Sequence, residues 1–502
     1  FCRWPESTVL DSSIARACQF LLDMPGWKRF KSIAKRQKKF VRMVNQAKLR
    51  SFNTAPKFKY GFEVARDYKH AMRLDERNCN TRWADSIDTE FNQIDEHDTF
   101  EDKGLASTSP PPDGHKKIRV HLVFDVKHDG RHKARLVADG HLTDAPLDSV
   151  YSGVVSIRGF RLVCFLAELN KMELWATDIG NAYLEAETNE KVYIIAGPEF
   201  GSRAGHSLVI KKALYGLKSS GARWHDRFAD CMRELGFFPC KAEPDIWMRR
   251  NGDLYEYVAV YVDDLCMAMK DPKEFTDVLG DKHQFKLKGT GPISFHLGMD
   301  FVRDPDGTLC ITPKKHIEKM MAGCERMFGG PPKQTFSSPL EKGDHPELDA
   351  SDLLDADGVN RHQSLVGSLQ WAITIGRLDI ATAVMTMSAF RAAPRKGHLE
   401  RIKRIYGYLA KMKHAAIRVR TDEPDYSQLE HRTYDWTRTV YGNVEEELPT
   451  DAPQPKGKPV VLTTYVDANL YHDWVTGRAV TGILHYVNQT PFEWYCKKQP
   501  TV

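Results

Sequence analysis

Apolar positions along the chain alternate between two periods. Steps of three and four residues put Trp83, Ile87, Phe91 and Ile94 on one face of a helix within residues 80–100. The same period predicts helices over Arg158–Asn170, Asp226–Leu235 (stopped by Gly236), Phe275–Gly280, His316–Met321, Ser364–Ile375, Ile380–Ala389 and His398–Lys411. Short runs rich in β-branched and aromatic residues predict strands at Ile118–Val126 and Ala134–Val137, joined by a turn through residues 127–130, and at Glu173–Thr177. Tyr255–Met269 reads as two strands around a tight turn. Residues 105–114 are a loop by composition, and residues 445–459 are an interdomain linker, after which Val460–Val466 restarts as a strand. No fixed-period repeat is present.

A chain of 502 residues exceeds a single core and implies two to four domains or subdomains. Its net charge of only +5 says little about partners; the distribution says more. Between Met24 and Phe62 there is no Asp or Glu but about a dozen Lys and Arg. That run is dense enough to attract phosphate backbones, but it reads better as a solvated basic helix or a linker between polyprotein parts. Ten cysteines stand singly without a C-x-x-C pair, which argues against a zinc ribbon and fits a reducing compartment. The most apolar stretch, Trp371 to Phe390, is interrupted by Arg377 and Asp379, so no membrane span is expected. Pro5, Glu6 and Asp11 break any signal-peptide pattern, and both ends read as cuts from something longer.

The chemistry concentrates in carboxylates. Tyr261-Val262-Asp263-Asp264 sits between two apolar strands, so two adjacent carboxylates occupy the tip of a hairpin. Their like charges repel unless a cation lies between them, although Asp is also common in plain turns. Asp178 ends the strand from Glu173 and opens Ile179-Gly-Asn-Ala-Tyr183, a position suited either to ligand contact or to capping a helix. Phosphoryl transfer calls for such a set, because two Mg²⁺ ions about 4 Å apart stabilise attacking and leaving oxygens together. Carboxylates are the hard oxygen ligands that Mg²⁺ prefers.

Taken together these residues resemble the copia-type family of retrotransposon reverse transcriptases, from about Trp83 to the C-terminus. Lys133-Ala-Arg-Leu-Val-Ala-Asp-Gly140 is similar to the family's fingers motif, and Asp178 to Leu184 with Glu190-Lys-Val-Tyr-Ile194 to its first palm motif. Ala213-Leu-Tyr-Gly-Leu-Lys218 with Ala222-Arg-Trp224, the Tyr261–Asp264 box, and Phe295-His-Leu-Gly-Met299 follow in order. Val366-Gly-Ser-Leu369, Arg377-Leu-Asp-Ile380, His398 and Arg404 to Leu409 resemble the region after the palm. Tyr465-Val-Asp-Ala468, Thr481-Gly482, Trp494 and residues 497–501 resemble the start of the family's ribonuclease H domain.

The resemblance implies an α+β right-hand polymerase (fingers, palm and thumb, with an antiparallel palm sheet) followed by a truncated ribonuclease H-like α/β segment. The implied division is a basic segment of unknown role at 1–80, fingers and palm at 81–310, a thumb- or connection-like helical region at 311–440, a linker at 441–459 and the ribonuclease H-like part at 460–502. The implied function is RNA-directed DNA polymerase, using two Mg²⁺ ions, deoxynucleoside triphosphates, an RNA template and a DNA primer. Asp178 and Asp263 are the implied main metal ligands, and Asp264 completes the triad. Lys133 and Arg135 would grip the triphosphate, or are an ordinary exposed strand pair. Tyr183 would bar the 2′-hydroxyl, or is a core aromatic. Gly216 and Lys218 line the pocket or serve packing; Trp371, Tyr406 and Tyr408 read better as core than as a primer grip. The chain departs from the family at Asn469, where a second Asp is usual after Asp467. One carboxylate cannot assemble a two-metal site, so no ribonuclease H activity is expected of this chain. Other parts of the polyprotein are the implied partners, and the cytoplasm, within virus-like particles, the implied location. Two alternatives remain: an RNA-dependent RNA polymerase, which Tyr183 opposes, and an inactive or domesticated fragment that only binds nucleic acid.

Overall fold

The computed structural model describes residues 56–500, apart from 111–112, 128, 147–148, 431–434, 441, 443–446 and 448. The basic run at 28–39 lies outside the described residues. The chain divides into two compact units, one of residues up to Val150 with Ala186–Arg223, the other of Tyr151–Glu185 with Trp224 onward.

In the first unit, helix Arg82–Glu96 buries Trp83, Ile87 and Ile94, the stripe expected from the sequence. A preceding helix, Tyr68–Asn78, was not expected, because its sequence is mostly polar and its buried face rests on few apolar residues, chiefly Ala71 and Leu74. Asp67 caps it through His70 N–H. Buried Asp75 then accepts the N–H groups of Trp83 (3.0 Å) and Ala84 (2.9 Å), satisfying donors that open the second helix. Strands Val120–Val126 and His132–Ala138 form an antiparallel hairpin, with Lys133 opposite Asp125 and Arg135 opposite Val123. Ala134 and Leu136 face inward, and Trp83 meets Phe124 edge-on at 5.3 Å. A separate four-stranded sheet takes the order Phe100–Leu105, His206–Ile210, Val192–Ile195, Lys116–Lys117.

The second unit is built on a six-stranded sheet ordered Phe238–Pro239, Ile246–Asn251, Leu254–Tyr261, Asp264–Met269, Glu173–Ile179, Leu287–Pro292. Every neighbouring pair is antiparallel. Helix Ile157–Leu169 lies against it, capped by Ser156, whose side chain accepts from Gly159 N–H. Its Phe160, Val163, Cys164 and Phe165 join Ala259, Cys266 and Ala268 of the sheet in one core. Burying each phenylalanine contributes about 1.5–3 kcal/mol.

Helices Lys314–Phe328, Ala356–Thr374, Ala381–Ser388 and Lys396–Lys411 enclose another core through Leu365, Leu369, Val384, Ile402 and Ile405. Tyr406 and Tyr408 are buried there, in agreement with core packing, whereas Trp371 is 41% exposed. Two residues of the stretch read as an interdomain linker bond to the hairpin of the sheet. Tyr255 OH donates to Gln454 O at 2.9 Å, and Gly457 N–H donates to Asp253 O at 2.9 Å. Strands Leu462–Asn469, Val480–Val487 and Thr490–Lys498 follow as an antiparallel meander. No described helix is long and apolar enough to cross a membrane.

Candidate active site

Asp178 lies inside strand Glu173–Ile179, one residue from its end. It begins no helix, so the capping alternative for it falls away. The strand continues past Thr177 because Asp178 is paired on both sides, with Asp264 of one neighbour and Lys288 of the other. Directly opposed residues of an antiparallel pair project from the same face, with Cβ atoms about 4.5–5.5 Å apart. Two carboxylates and an ammonium-bearing side chain therefore form one row across three strands.

Asp263 sits at the tip of the hairpin. Tyr261 pairs with Asp264, so Val262 and Asp263 make a two-residue connection. Val262 has φ 60° and Asp263 does not share the positive φ, the pattern of a type II′ turn. Glycine normally takes that first position, and a β-branched residue there costs on the order of 1–3 kcal/mol. The strain is held from both sides. Buried Trp224 donates its indole N–H to Val262 O at 2.8 Å, and Ile179 N–H donates to Asp263 O at 2.8 Å. Behind the turn, His225 and Asp245 pair at 2.9 Å, which raises the His225 pKa. A Cβ on Gly153 would lie 2.2 Å from the Asp245 carboxylate, so only glycine fits against it.

Asp264 senses the other two carboxylates. Burial, then the charges of Asp263 and Asp178, push the Asp264 carboxyl up to about 6. Among the described residues no three His, Cys, Asp or Glu side chains already form a finished metal cage. The donor set nevertheless suits a divalent cation in kind: hard oxygens, half-buried, with mutual repulsion that a cation would relieve.

Lys288 had not been singled out from the sequence. It is exposed and stands in a glycine-rich strand in which Gly289 and Gly291 take positive φ. A Cβ on Gly180 would come within 2.8 Å of the Lys288 ammonium, so glycine leaves that side chain room beside Asp178. The signal was a lysine within Lys-Gly-Thr-Gly, legible only once the strand pairing is known. Tyr183 lies half-buried in the short turn Ala182–Glu185, just past Asn181 at φ 55°.

In the first unit, Lys133 and Arg135 share one face of their strand, opposite the buried Ala134 and Leu136. The Arg135 guanidinium stands 4.9 Å over the Tyr215 ring. Half-buried Glu90 accepts Leu136 N–H at 2.9 Å; burial raises its pKa, while Lys133 and Arg135 oppose the rise. Gly216 (φ 94°) and Gly140 cross closely: a Cβ on Gly140 would lie 2.0 Å from Gly216 O, and one on Gly216 would lie 2.1 Å from Ala138 O. Lys218 spends its ammonium on the carbonyls of Thr143 (2.8 Å) and Asp144 (3.2 Å), tying down that loop. Asp467 is exposed on its strand, opposite Gly482.

The sheet thus brings a hairpin-borne carboxylate pair, Asp263 and Asp264, beside a third carboxylate, Asp178. Residues 108–327 match the family described as reverse transcriptase (RNA-dependent DNA polymerase). The chain is 26% identical over 433 residues to the retrovirus-related Pol polyprotein from transposon RE1 of Arabidopsis thaliana, covering 84% of this chain and 26% of that one. It is 28% identical over 329 residues to the corresponding polyprotein from transposon TNT 1-94 of Nicotiana tabacum, covering 63% and 25%. With the transposon RE2 polyprotein of Arabidopsis thaliana the identity is 24% over 484 residues, covering 94% and 29%. The chain thus spans between a quarter and a third of the length of these relatives. Residues 108–327 are thus similar to a reverse transcriptase domain, and the relatives matched are retrotransposon Pol polyproteins.

Proposed function

We propose that this chain is an RNA-directed DNA polymerase, extending a DNA primer along an RNA template with deoxynucleoside triphosphates. The observation that carries the reading is the register of Asp178 opposite Asp264, with Asp263 at the adjoining turn. In this reading the six-stranded sheet is the palm, the Lys133–Arg135 hairpin belongs to the fingers, and the helices from Lys314 to Lys411 form the thumb. The meander from Leu462 belongs to a ribonuclease H-like domain, with Asp467 as the one carboxylate that matches that domain's motif.

Asp178 and Asp263 would hold the catalytic cations, with Asp264 completing the set. Two Mg²⁺ ions bound there would stabilise the primer 3′-oxygen as it attacks the α-phosphorus and the pyrophosphate oxygen as it leaves. Lys133 and Arg135 bind the triphosphate and offset its charge. Lys288, beside Asp178, adds a cation at the same edge. Tyr183 closes the space that a ribose 2′-hydroxyl would need. Trp224 and Ile179, by fixing the two turn carbonyls, keep Asp263 in one orientation. Binding to template and primer rests largely on phosphates and weakens steeply with salt. The remaining polyprotein parts are partners, and cytoplasmic virus-like particles the setting.

The test is incorporation of labelled dTTP on poly(rA) annealed to oligo(dT), with Mg²⁺ and with EDTA. Template-dependent incorporation that EDTA abolishes supports the reading. A folded chain that binds the duplex but incorporates nothing under any divalent cation overturns it.

A further inference from the structure

Away from the carboxylates, four elements of the second unit surround an open cleft of about 480 Å³. They are the start of helix Ile157–Leu169, the end of helix Ala356–Thr374, helix Ala381–Ser388 and strand Thr490–Lys498. Ile373, Val384 and Met385 give the cleft an apolar wall, and Ser388 stands in its lining. Arg161 also lines it, although only 6% of its surface is exposed.

The surroundings of Arg161 are unusual for a buried cation. Its guanidinium donates to Thr374 O and, at 3.0 Å, to Phe492 O, and stacks 4.1 Å from the Trp494 ring. Its Nε–H has no acceptor among the described residues. No carboxylate among the described residues makes an ion pair with it. Glu493, the acid that influences it, is committed to Arg158 at 3.2 Å. Burial accordingly pulls the Arg161 pKa down to about 10. An uncompensated buried charge is costly, and a ligand anion would supply what the protein withholds. Arg158, half-exposed, stands in the same lining, between Glu493 and, at 3.9 Å, Glu243. The first turn of the Ile157–Leu169 helix adds its positive end.

We propose that this cleft binds a small amphiphilic anion: an oxyanion head held by Arg161 and Arg158, on an aromatic body lying against Ile373, Val384 and Met385. A guanidinium fork matches carboxylate and phosphate oxygens alike, so the head group is defined by charge and planar donors. The site uses none of the residues assigned to polymerisation.

The test is calorimetric titration of the full chain with 2-naphthyl phosphate, 2-naphthoate and uncharged 2-naphthol. Removing Arg161 would strip donors from two backbone carbonyls and threaten folding, so the variants are Arg158→Gln and the cleft-filling Ser388→Trp, each checked by circular dichroism. The expected result is saturable one-site binding of both anions, with 2-naphthol at least tenfold weaker. Arg158→Gln should weaken the anions about tenfold, and Ser388→Trp should abolish binding. No saturable binding to the folded chain, equal binding of 2-naphthol, or binding that both variants retain would each overturn the proposal.

Discussion

Asp264→Asn should stabilise the metal-free protein while it destroys catalysis. Asp264 is half-buried beside two like charges, and its carboxyl is raised from 3.8 to about 6. A raised carboxylate pKa means that the folded state holds the proton more tightly than the unfolded state does. Stability linked to this group is therefore greatest in acid and is lost as pH rises from about 4 through 6. The full shift of about two units corresponds to roughly 3 kcal/mol at pH 7.5. Solvent reaches part of the side chain, so we discount that to about 1–2 kcal/mol. Asparagine keeps the shape and removes the charge. Guanidinium denaturation in EDTA at pH 7.5 should show the variant more stable by that amount. The gap should fall to about half at pH 5 and vanish below about pH 4. Saturating Mg²⁺ should stabilise the parent more than the variant, because the ion binds the folded site. A variant no more stable than the parent in EDTA would refute the idea that these carboxylates repel one another in the folded chain.

Tyr183→Ala should admit ribonucleotides, read as a rise of tenfold or more in rUTP incorporation relative to dTTP; no rise would remove Tyr183 from the sugar pocket. Trp224→Phe should cost about 1–2 kcal/mol, measured by denaturation, because the carbonyl of strained Val262 loses its donor. It should also lower kcat more than it raises the KM for dTTP, and unchanged stability would mean that the bond holds nothing. His362 is fully buried with both ring nitrogens unpartnered among the described residues, and burial, aided by nearby His398, depresses its pKa to about 4. The unfolded chain takes up that proton first, so stability falls as pH drops from about 6.5 towards 4. His362→Leu should add about 1–3 kcal/mol at pH 7, and remove about 2 kcal/mol of the loss between pH 7 and pH 5. Hydrogen exchange in helix Ala356–Thr374 reads both effects, and an equally steep pH loss in the variant would contradict them.

Much of the site was legible because its elements carry strong local signals. The apolar runs around Asp263-Asp264 fix a hairpin by themselves, and the structure has it as Leu254–Tyr261 and Asp264–Met269. Gly236, at φ 80°, stops its helix as expected, but that helix begins at Ser220 rather than near Asp226. The small and polar residues of its first turn gave no apolar period to read. Cross-strand facts were hidden for another reason: register joins residues far apart in sequence. Lys288 is 110 positions from Asp178, and nothing local announces the pairing. Nor does local chemistry foretell Val262 at a positive φ; that conformation is imposed by Trp224 and the neighbouring strands. For Gly216, Lys218 and Tyr406, motif position suggested ligand contact as one option, while the observed contacts are a backbone crossing, a loop anchor and a helical core.

The most direct measurement is single-nucleotide primer extension on poly(rA) and oligo(dT), comparing the parent chain with Asp178→Asn and Asp263→Asn under matched duplex binding. Two carboxylates serving one reaction predict that each variant alone loses at least a thousandfold in rate while duplex affinity stays within about threefold. Extension by either variant at close to the parent rate would contradict the assignment of these carboxylates as the catalytic centre.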